Sequence, residues 1–343
     1  MTTANPIPSN TLSNNKPVLV LAPTPYFSNR GCHIRIYEEV QLLQHLGYQP
    51  TILTYPLGRG IGSGRIIRVP GLKSYQKTTA GFSWHKLYLD ILLWRQAVRL
   101  IKNQRPHLVH AHLHESAWIG WLLKLQFKLP FVLDVQGMGS MEFPLPGYEY
   151  WAIKRADAVF VSSELTHKQL VKKYPHSKNK IVLLADGIGQ TLNTNINPTK
   201  QYDVVYSGGT GSKKGTDILN AALLLVKQKR PNTSVLMITP NQPIPYEQLL
   251  PTLAKARVGI DPKPSSSSEG SAKVLNYIAA GLMVVTFKDY KLPNTIVPQQ
   301  ETAEGLAEAI LQAVQQSPIK CDLTAYSWSE RAMILETTYA NIV

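Results

Sequence analysis

The chain has 343 residues, more than one ordinary hydrophobic core holds, so we expect two domains. Hydrophobic residues make up 44% of it and charged residues 17%, which is typical of globular proteins and excludes a disordered chain. The formal net charge of +14 favours partners that carry phosphates or other anionic groups. The sequence contains no RNA- or DNA-reading motif, so we expect no nucleic-acid partner.

Cysteine usage and hydropathy predict a cytoplasmic protein. The two cysteines, Cys32 and Cys321, give neither a disulfide framework nor a metal cluster, which fits a reducing compartment. No run of eighteen uncharged apolar residues is present, so we expect no membrane-spanning segment. Residues 1–16 are polar and lack an apolar centre, which predicts a flexible tail and not a signal peptide.

The first half of the chain alternates between apolar runs and amphipathic segments, beginning with a strand, a glycine-containing turn and a helix. This alternation is typical of a parallel, doubly wound sheet. The predicted strands are 18–22, 50–55, 108–112, 131–135, 158–162 and 180–184. The predicted helices are 34–46, 84–103, 117–127, 148–156 and 165–173.

A second series of the same kind follows a stretch rich in Asn, Thr and Gly. Its predicted strands are 203–207, 234–238, 258–261 and 283–287, and its predicted helices are 216–229, 246–254, 273–280 and a broken helical region from 304 onwards. The predicted divisions are a tail (1–16), an N-terminal Rossmann-like domain (17–190), a linker (191–202), a C-terminal Rossmann-like domain (203–325) and a terminal helix (326–343) that packs back on the first domain. Because such sheets bind ligands at the carboxyl ends of their strands, we expect both glycine turns to face one cleft.

The second glycine turn, residues 208–215, is a candidate phosphate site. Gly208 and Gly209 allow close approach of a ligand, the following helix start carries partial positive charge, and Lys213 and Lys214 add full charges. The spacing is not that of a P-loop. An ordinary tight turn with a solvated lysine pair remains the alternative interpretation.

A serine-rich run followed by a helix, residues 265–281, is the second candidate. Its hydroxyls and helix-start amides suit sugar hydroxyls or phosphate, and Lys273 and Asn276 lie three apart on one helical face. Glu269, Gly270 and Ser271 come just before the helix. The alternative is an ordinary capped helix after a flexible serine linker.

In the first domain, a glycine turn with two arginines at a helix start predicts an anion site, formed by Arg30, Gly31, His33 and Arg35.

Three histidines, His110, His112 and His114, alternate at the end of a predicted strand. A metal site is one interpretation, but only Glu115 stands at ligand spacing. We therefore expect a hydrogen-bonding polar rim.

Together these segments resemble the family 4 glycosyltransferases over most of the chain. The resemblance rests on RGCHIRIYEE at 30–39, HAHLHE at 110–115, DVQG at 134–137, DGI at 186–188, KG at 214–215 and KVLNYIAAG at 273–281. It implies an α/β protein of the GT-B fold, with two Rossmann-like domains facing across a cleft. It also implies that a sugar moves from a nucleotide-diphosphate sugar to a glycan, lipid-linked or small-molecule acceptor with retention of configuration, as in polysaccharide biosynthesis.

The resemblance also implies roles for single residues. The departing phosphate takes the acceptor proton, and neither a cofactor nor a metal is required. The donor side comprises Gly208, Gly209, Lys214, Glu269, Gly270, Ser271, Lys273 and Asn276. The acceptor or distal-phosphate side comprises Arg30, Gly31, His33, Arg35 and His114. The candidate catalytic residues are Glu269, Gln136 and His112.

Three positions depart from the family pattern. Gly209 stands where an Arg usually binds the diphosphate, Asn276 where a second Glu contacts the ribose, and Gln136 where a His is common. The first Glu of that motif would fall on Ser268, beside Glu269. These departures leave two alternatives open, a non-catalytic nucleotide-sugar-binding protein and a nucleotide-sugar epimerase.

Peripheral contact with the inner face of a membrane is a further hypothesis. Residues 82–105 interleave apolar and basic side chains, as in helices that lie on anionic headgroups. The same spacing of Leu87, Ile91, Trp94 and Val98 also describes an ordinary core-facing stripe, which is the simpler interpretation of this helix.

Overall fold

The structure is a computed structural model that describes most of the chain. The described residues are 16–28, 30–62, 64–71, 75–76, 83–136, 146–189, 198–270 and 272–343. Ser271, nearly all of the predicted tail and most of the predicted linker lie outside them.

Seven parallel strands form the sheet of the first domain within the described residues, in the order β3-β2-β1-β4-β5-β6-β7. The strands are β1 Lys16–Ala22, β2 Tyr48–Thr54, β3 Arg65–Arg68, β4 Leu108–His112, β5 Phe131–Val135, β6 Ala158–Val161 and β7 Ile181–Leu183. The helices are α1 Gly31–His45, α2 Trp84–Asn103, α3 Ser116–Phe127, α4 Tyr148–Arg155 and α5 Glu164–Lys173. Every residue of β4 and β5 is buried, including the two histidines of β4 and the aspartate of β5.

The second sheet has five parallel strands in the part of the chain that the structure describes, in the order β12-β11-β10-β8-β9. The strands are β8 Tyr202–Ser207, β9 Val235–Ile238, β10 Ala256–Asp261, β11 Met283–Thr286 and β12 Thr295–Ile296. The helices are α6 Thr216–Lys229, α7 Leu249–Leu253, α8 Ala272–Ala279, α9 Ala303–Val314 and α10 Ala332–Ile342. Strand order reverses between β8 and β10, the point where such sheets open a ligand crevice.

The predicted α/β class with two parallel sheets is confirmed. The bounds of most elements lie within three residues of the predicted bounds. Two strands, β3 and β12, were not predicted. β3 has a charged residue at each end and lies at the sheet edge, and β12 has two residues, so neither carries an apolar run. Among the described helices, none has the length and apolarity needed to cross a bilayer.

The two domains share one hydrophobic cluster. Tyr246 and Leu249 of the second domain pack into the same cluster as Phe27 and Tyr37 of the first. The hydroxyl of Tyr246 donates to Oε1 of Glu38 at 2.8 Å in a buried position. The contact therefore joins the domains through apolar packing and one charge-assisted hydrogen bond.

The end of the chain returns to the first domain. Ile188 and Ser327 form an isolated parallel bridge, and α10 then crosses the first sheet. The hydroxyl of Tyr339 in α10 lies 2.7 Å from Nδ1 of His110, and its ring meets Tyr48 edge to face.

We expect Gly215→Ala to destabilise the second domain by about 2 kcal/mol or more, because two constraints require glycine there. Gly215 has φ of 70°, and a Cβ would lie 1.8 Å from the carbonyl oxygen of Pro262. Differential scanning calorimetry measures the change. Gly31→Ala is the control, since a Cβ at Gly31 meets no atom within 4 Å. Equal melting temperatures for the two variants would contradict the assigned constraint.

Candidate functional site

The carboxyl ends of the two sheets enclose a cleft of about 1620 Å³. A single small-molecule pocket usually has about 300–1000 Å³, so this cleft has room for two substrates. Most of the predicted site residues line it: Arg30, Gly31, Arg35, His114 and Gln136 from the first domain, and Gly208, Gly209, Lys214, Glu269, Gly270, Lys273 and Asn276 from the second.

The glycine turn after β8 brings a lysine close to the backbone. A Cβ on Gly208 would lie 2.8 Å from Nζ of Lys273, so any other residue would displace that ammonium group. The amide of Gly208 donates to the carbonyl of Ile238 at 3.0 Å, and the hydroxyl of Tyr206 donates to the carbonyl of Gly209 at 2.5 Å. The predicted use of the Gly208 amide for phosphate is therefore wrong, because the sheet already uses that donor.

Cations and carboxylates alternate at the floor of the second domain. Nζ of Lys263 is 3.3 Å from Oε2 of Glu269 and 3.7 Å from Oδ2 of Asp261. Nζ of Lys273 is 3.2 Å from Oδ1 of Asp261, and Lys214 also pairs with Glu269. The cluster therefore places three ammonium groups around two carboxylates, with Lys263 and Asp261 buried.

Glu269 is held ionised by these neighbours. Burial raises the pKa of its carboxyl group, but Lys263 and Lys214 outweigh burial and lower the pKa to about 2. The side chain is 44% exposed, so its carboxylate can meet a ligand in the cleft. At neutral pH it can accept hydrogen bonds from a ligand but cannot serve as an acid catalyst.

Helix α8 presents two of the predicted donor residues to the cleft. Lys273 lies in its first turn, 4.6 Å above the centroid of the Tyr206 ring, and Asn276 is buried one turn later. Tyr277 fixes the helix against the sheet, since its hydroxyl accepts from the amide of Ser207 at 2.8 Å and donates to the carbonyl of Ile260 at 3.2 Å. The glycine turn and α8 are thus one rigid unit.

The start of α1 forms the opposite wall. Arg30 caps the helix in an extended conformation, and the open space around Gly31 leaves the first helical amides accessible from the cleft. An anion at this position would meet the positive end of the helix.

His33 and Arg35 are not the exposed anion ligands that the sequence suggested. His33 is buried, accepts from the amide of Ser28 at 2.9 Å and contacts Oγ1 of Thr24 at 2.6 Å. Burial lowers its pKa to about 3, so it is neutral and holds the loop before α1. The Arg35 side chain, although it reaches the cleft, is 4% exposed and bonds Asp134 at 2.9 Å and Asp186 at 2.8 Å.

His110 and His112 lie inside the first domain and not on a polar rim, so the predicted rim is wrong for both. Their rings stack with centroids 4.3 Å apart, and Nε2 of His110 is 3.4 Å from Oε2 of Glu39. Nδ1 of His112 is 3.4 Å from Oδ2 of Asp134. Full burial also denies His112 contact with a substrate, so the catalytic role suggested for it is wrong.

This histidine cluster has the composition of a metal site, since Glu39, His110, His112 and Asp134 each offer one ligand atom within 4.8 Å of the others. Protonation of Glu39 would also reduce the negative charge of this cluster. Burial raises the pKa of Glu39 well above its usual range. Burial opposes ionisation of Asp134, but Arg35 holds its pKa low. In the metal-free cluster these pKa directions favour a neutral Glu39 beside an Arg35–Asp134 ion pair.

Gln136 and His114 remain at the cleft. Gln136 follows β5, and its Nε2 donates weakly to the carbonyl of Cys32 at 3.4 Å. His114 is 17% exposed and lies 3.2 Å from Oε2 of Glu115. Burial lowers the pKa of His114, so the ring is neutral at pH 7.

A family model identifies the first domain. Residues 30–189 match the model described as Glycosyltransferase Family 4. This match covers the first domain, which is therefore similar to glycosyltransferase family 4. No curated protein sequence matches the chain.

Solved structures resemble the whole chain. Sucrose-phosphate synthase from Thermosynechococcus elongatus has a TM-score of 0.68 at 15% identity, over 95% of this chain and 99% of that one. Anabaena HepE in complex with UDP-glucose has a TM-score of 0.61 at 10% identity, over 95% and 100%. UDP-GlcNAc 2-epimerase from Methanocaldococcus jannaschii has a TM-score of 0.57 at 10% identity, over 94% and 99%. At these identities the likeness shows the fold, and the predicted GT-B fold is confirmed.

Sequence reasoning missed several residues of this cleft. Lys263 stands two residues after the end of β10, the position where doubly wound sheets bind ligands, and that spacing was the available signal. Asp186 holds Arg35 and approaches Gly270 so closely that a Cβ there would lie 2.0 Å from Oδ2. Asp90 and Trp118 line the first wall, but nothing in their local sequence separates them from core residues.

We expect the purified protein to contain well below one equivalent of zinc or other transition metal, because protons and Arg35 already balance the histidine cluster. Elemental analysis by mass spectrometry measures the content. Dialysis against a chelator should leave nucleotide-sugar affinity unchanged. One equivalent of metal, lost in a His110→Ala, His112→Ala variant, would show that the charge assignment is wrong.

Proposed function

We propose that this protein transfers a sugar from a nucleotide-diphosphate sugar to a glycan, lipid-linked or small-molecule acceptor, with retention of anomeric configuration. The observation that carries the proposal is the cluster of Lys214, Lys263 and Lys273 beside the glycine turn, at the carboxyl ends of β8 and β10. Nucleotide and sugar recognition by HepE, whose structure contains UDP-glucose, is consistent with a donor of this class.

The donor diphosphate would bind where backbone and cations are closest. Gly208 and Gly209 keep side chains away from the turn, and Lys214 and Lys273 approach it from two sides. Gly209 stands at the family's usual Arg position, and the lysine beside it is Lys214, whose side chain would lie 3.7 Å from a Cβ there. The buried side-chain amide of Asn276 would form hydrogen bonds with the ribose hydroxyls, in place of the usual Glu.

The transfer step needs stabilisation of the leaving diphosphate more than it needs a side-chain base. As the sugar–oxygen bond breaks, negative charge grows on the phosphate oxygen, and fixed ammonium groups in a partly dry cleft stabilise it. That oxygen takes the proton of the acceptor hydroxyl as the new glycosidic bond forms on the same face. Gln136, which cannot act as a base, and the buried His112 are compatible with this route, and no metal enters it.

The acceptor would bind against the first domain. Arg30, Glu115 and Trp118 line that wall, and Nζ of Lys86 lies 3.5 Å from Oε1 of Glu115. Carboxylates beside an aromatic ring suit the hydroxyls and the apolar face of a sugar. A cytoplasmic location remains part of the proposal.

An epimerase is the second candidate, since the epimerase from Methanocaldococcus jannaschii shares the fold. The two functions differ in one measurable respect. A transferase consumes donor in proportion to acceptor, whereas an epimerase converts the donor sugar without any acceptor.

A thermal-shift screen against nucleotide sugars tests the proposed function directly. A ligand that binds only the folded state raises the free energy of unfolding, by about 2.7 kcal/mol when its concentration is 100 times its Kd. The melting temperature rises as a result. We expect at least one nucleotide sugar to raise it, and to be consumed when an acceptor is added. Binding without turnover against any acceptor class would instead indicate a non-catalytic nucleotide-sugar-binding protein.

Lys214→Ala should weaken binding of the donor and of its nucleoside diphosphate by about 1.5–3 kcal/mol, because a charge-assisted contact to phosphate is lost. Isothermal titration calorimetry measures both affinities. Lys229→Ala on α6 removes an equal charge from an exposed position and is the matched control. An unchanged Kd in Lys214→Ala would remove Lys214 from the phosphate site.

The product should keep the anomeric configuration of the donor. Proton NMR of the reaction mixture at early times reports the coupling constant of the new anomeric centre before any later equilibration. A product of inverted configuration would contradict the front-face step, while leaving the donor site intact.

A further inference from the structure

Helix α2 exposes apolar side chains that the sequence placed in the core. Leu87 is 41% exposed and Ile91 is 43% exposed, so the predicted core stripe is wrong for these two. The apolar residues that α2 buries in the first domain are Leu89, Leu93, Ala97 and Ile101. The core contact is thus rotated away from the predicted stripe, and apolar groups are left at the surface.

The exposed residues of α2 form one continuous strip. At about 100° per residue, six of them fall within an arc of about 80°. We call this strip the outer face of α2: Trp84, Tyr88, Ile91, Arg95, Arg99 and Lys102. Its first half is aromatic and aliphatic, with Trp84 76% and Tyr88 48% exposed, and its second half is basic. Asp90 is the one acidic residue in the α2 sequence, and it is buried.

We propose that the outer face of α2 docks on an anionic lipid bilayer. A helix lying in the interface inserts aromatic and aliphatic groups between headgroups while its arginines and lysines contact lipid phosphates. Both components are present on one strip, and the net charge of +14 adds long-range attraction. An acidic protein or nucleic acid would use the basic half but gain nothing from inserting the apolar half.

The apolar half of this strip adjoins the cleft. Leu87, next to Tyr88, lines the cleft together with Lys86, on the wall proposed for the acceptor. Docking through α2 would therefore bring the acceptor wall to the membrane surface, where lipid-linked acceptors are located. This consequence rests on the proposed function, whereas docking itself does not.

Co-sedimentation with vesicles tests the docking. The full chain is mixed with vesicles of phosphatidylcholine alone, or of phosphatidylcholine with phosphatidylglycerol, at low and high salt. We expect binding that requires phosphatidylglycerol and weakens with salt. Tyr88→Ser with Ile91→Ser should lower the partition coefficient at least about fivefold, because the inserted groups are lost. Arg95→Glu with Arg99→Glu should lower it more than about tenfold.

A matched control separates this surface from general charge. Lys227→Glu with Lys229→Glu makes the same charge change on exposed positions of α6 and should leave most binding intact. Absence of binding to anionic vesicles at low salt, or an equal loss in the α6 control, would overturn the proposal, as would binding that persists unchanged in the Tyr88, Ile91 variant. Nucleotide-sugar affinity is measured in parallel in every variant. Absence of nucleotide-sugar binding would contradict the proposed function, whereas absence of vesicle binding by the unaltered chain would contradict only the docking.

Discussion

The pairing of three lysines with two carboxylates at the end of the second sheet is the constraint on which the cleft depends. Buried ammonium and carboxylate groups are tolerated only when they are paired, so Lys263 and Asp261 must stay together. Lys214 pairs with Glu269 nearer the surface, and Lys273 pairs with Asp261 above the glycine turn. Three positive and two negative charges leave a net attraction for a diphosphate. Glycine at 208 leaves space for the Lys273 ammonium group above the turn.

The same network connects the donor site to the first domain. The carbonyl of Ser268, beside Glu269, accepts from the hydroxyls of Ser163 at 2.8 Å and Thr166 at 3.0 Å. Gly270 approaches Asp186, which in turn holds Arg35. The loop that carries Glu269 is therefore positioned by both domains.

The sequence predicted the elements of both sheets well, because buried parallel strands are short apolar runs bounded by turns. It predicted less of the cleft. Leu87 and Ile91 were assigned to the core because α2 carries apolar residues on two faces, and a helical period does not say which face packs. His112 was assigned to the cleft because its partners, Glu39 and Asp134, come from other elements and cannot be paired by spacing. Lys263 was missed because its position two residues after β10 was its only signal.

The affinity of the Glu269→Gln variant for nucleoside diphosphates tests the central role of the lysine and carboxylate cluster most directly. In the free protein the Glu269 carboxylate forms ion pairs with the ammonium groups that a phosphate would contact. Removing its charge while keeping its shape should therefore tighten the binding of the nucleoside diphosphate, by about tenfold, which corresponds to about 1.4 kcal/mol. Isothermal titration calorimetry with UDP, GDP and ADP measures this, with Glu308→Gln on the exposed side of α9 as the control. Unchanged or weaker binding in Glu269→Gln would contradict the account.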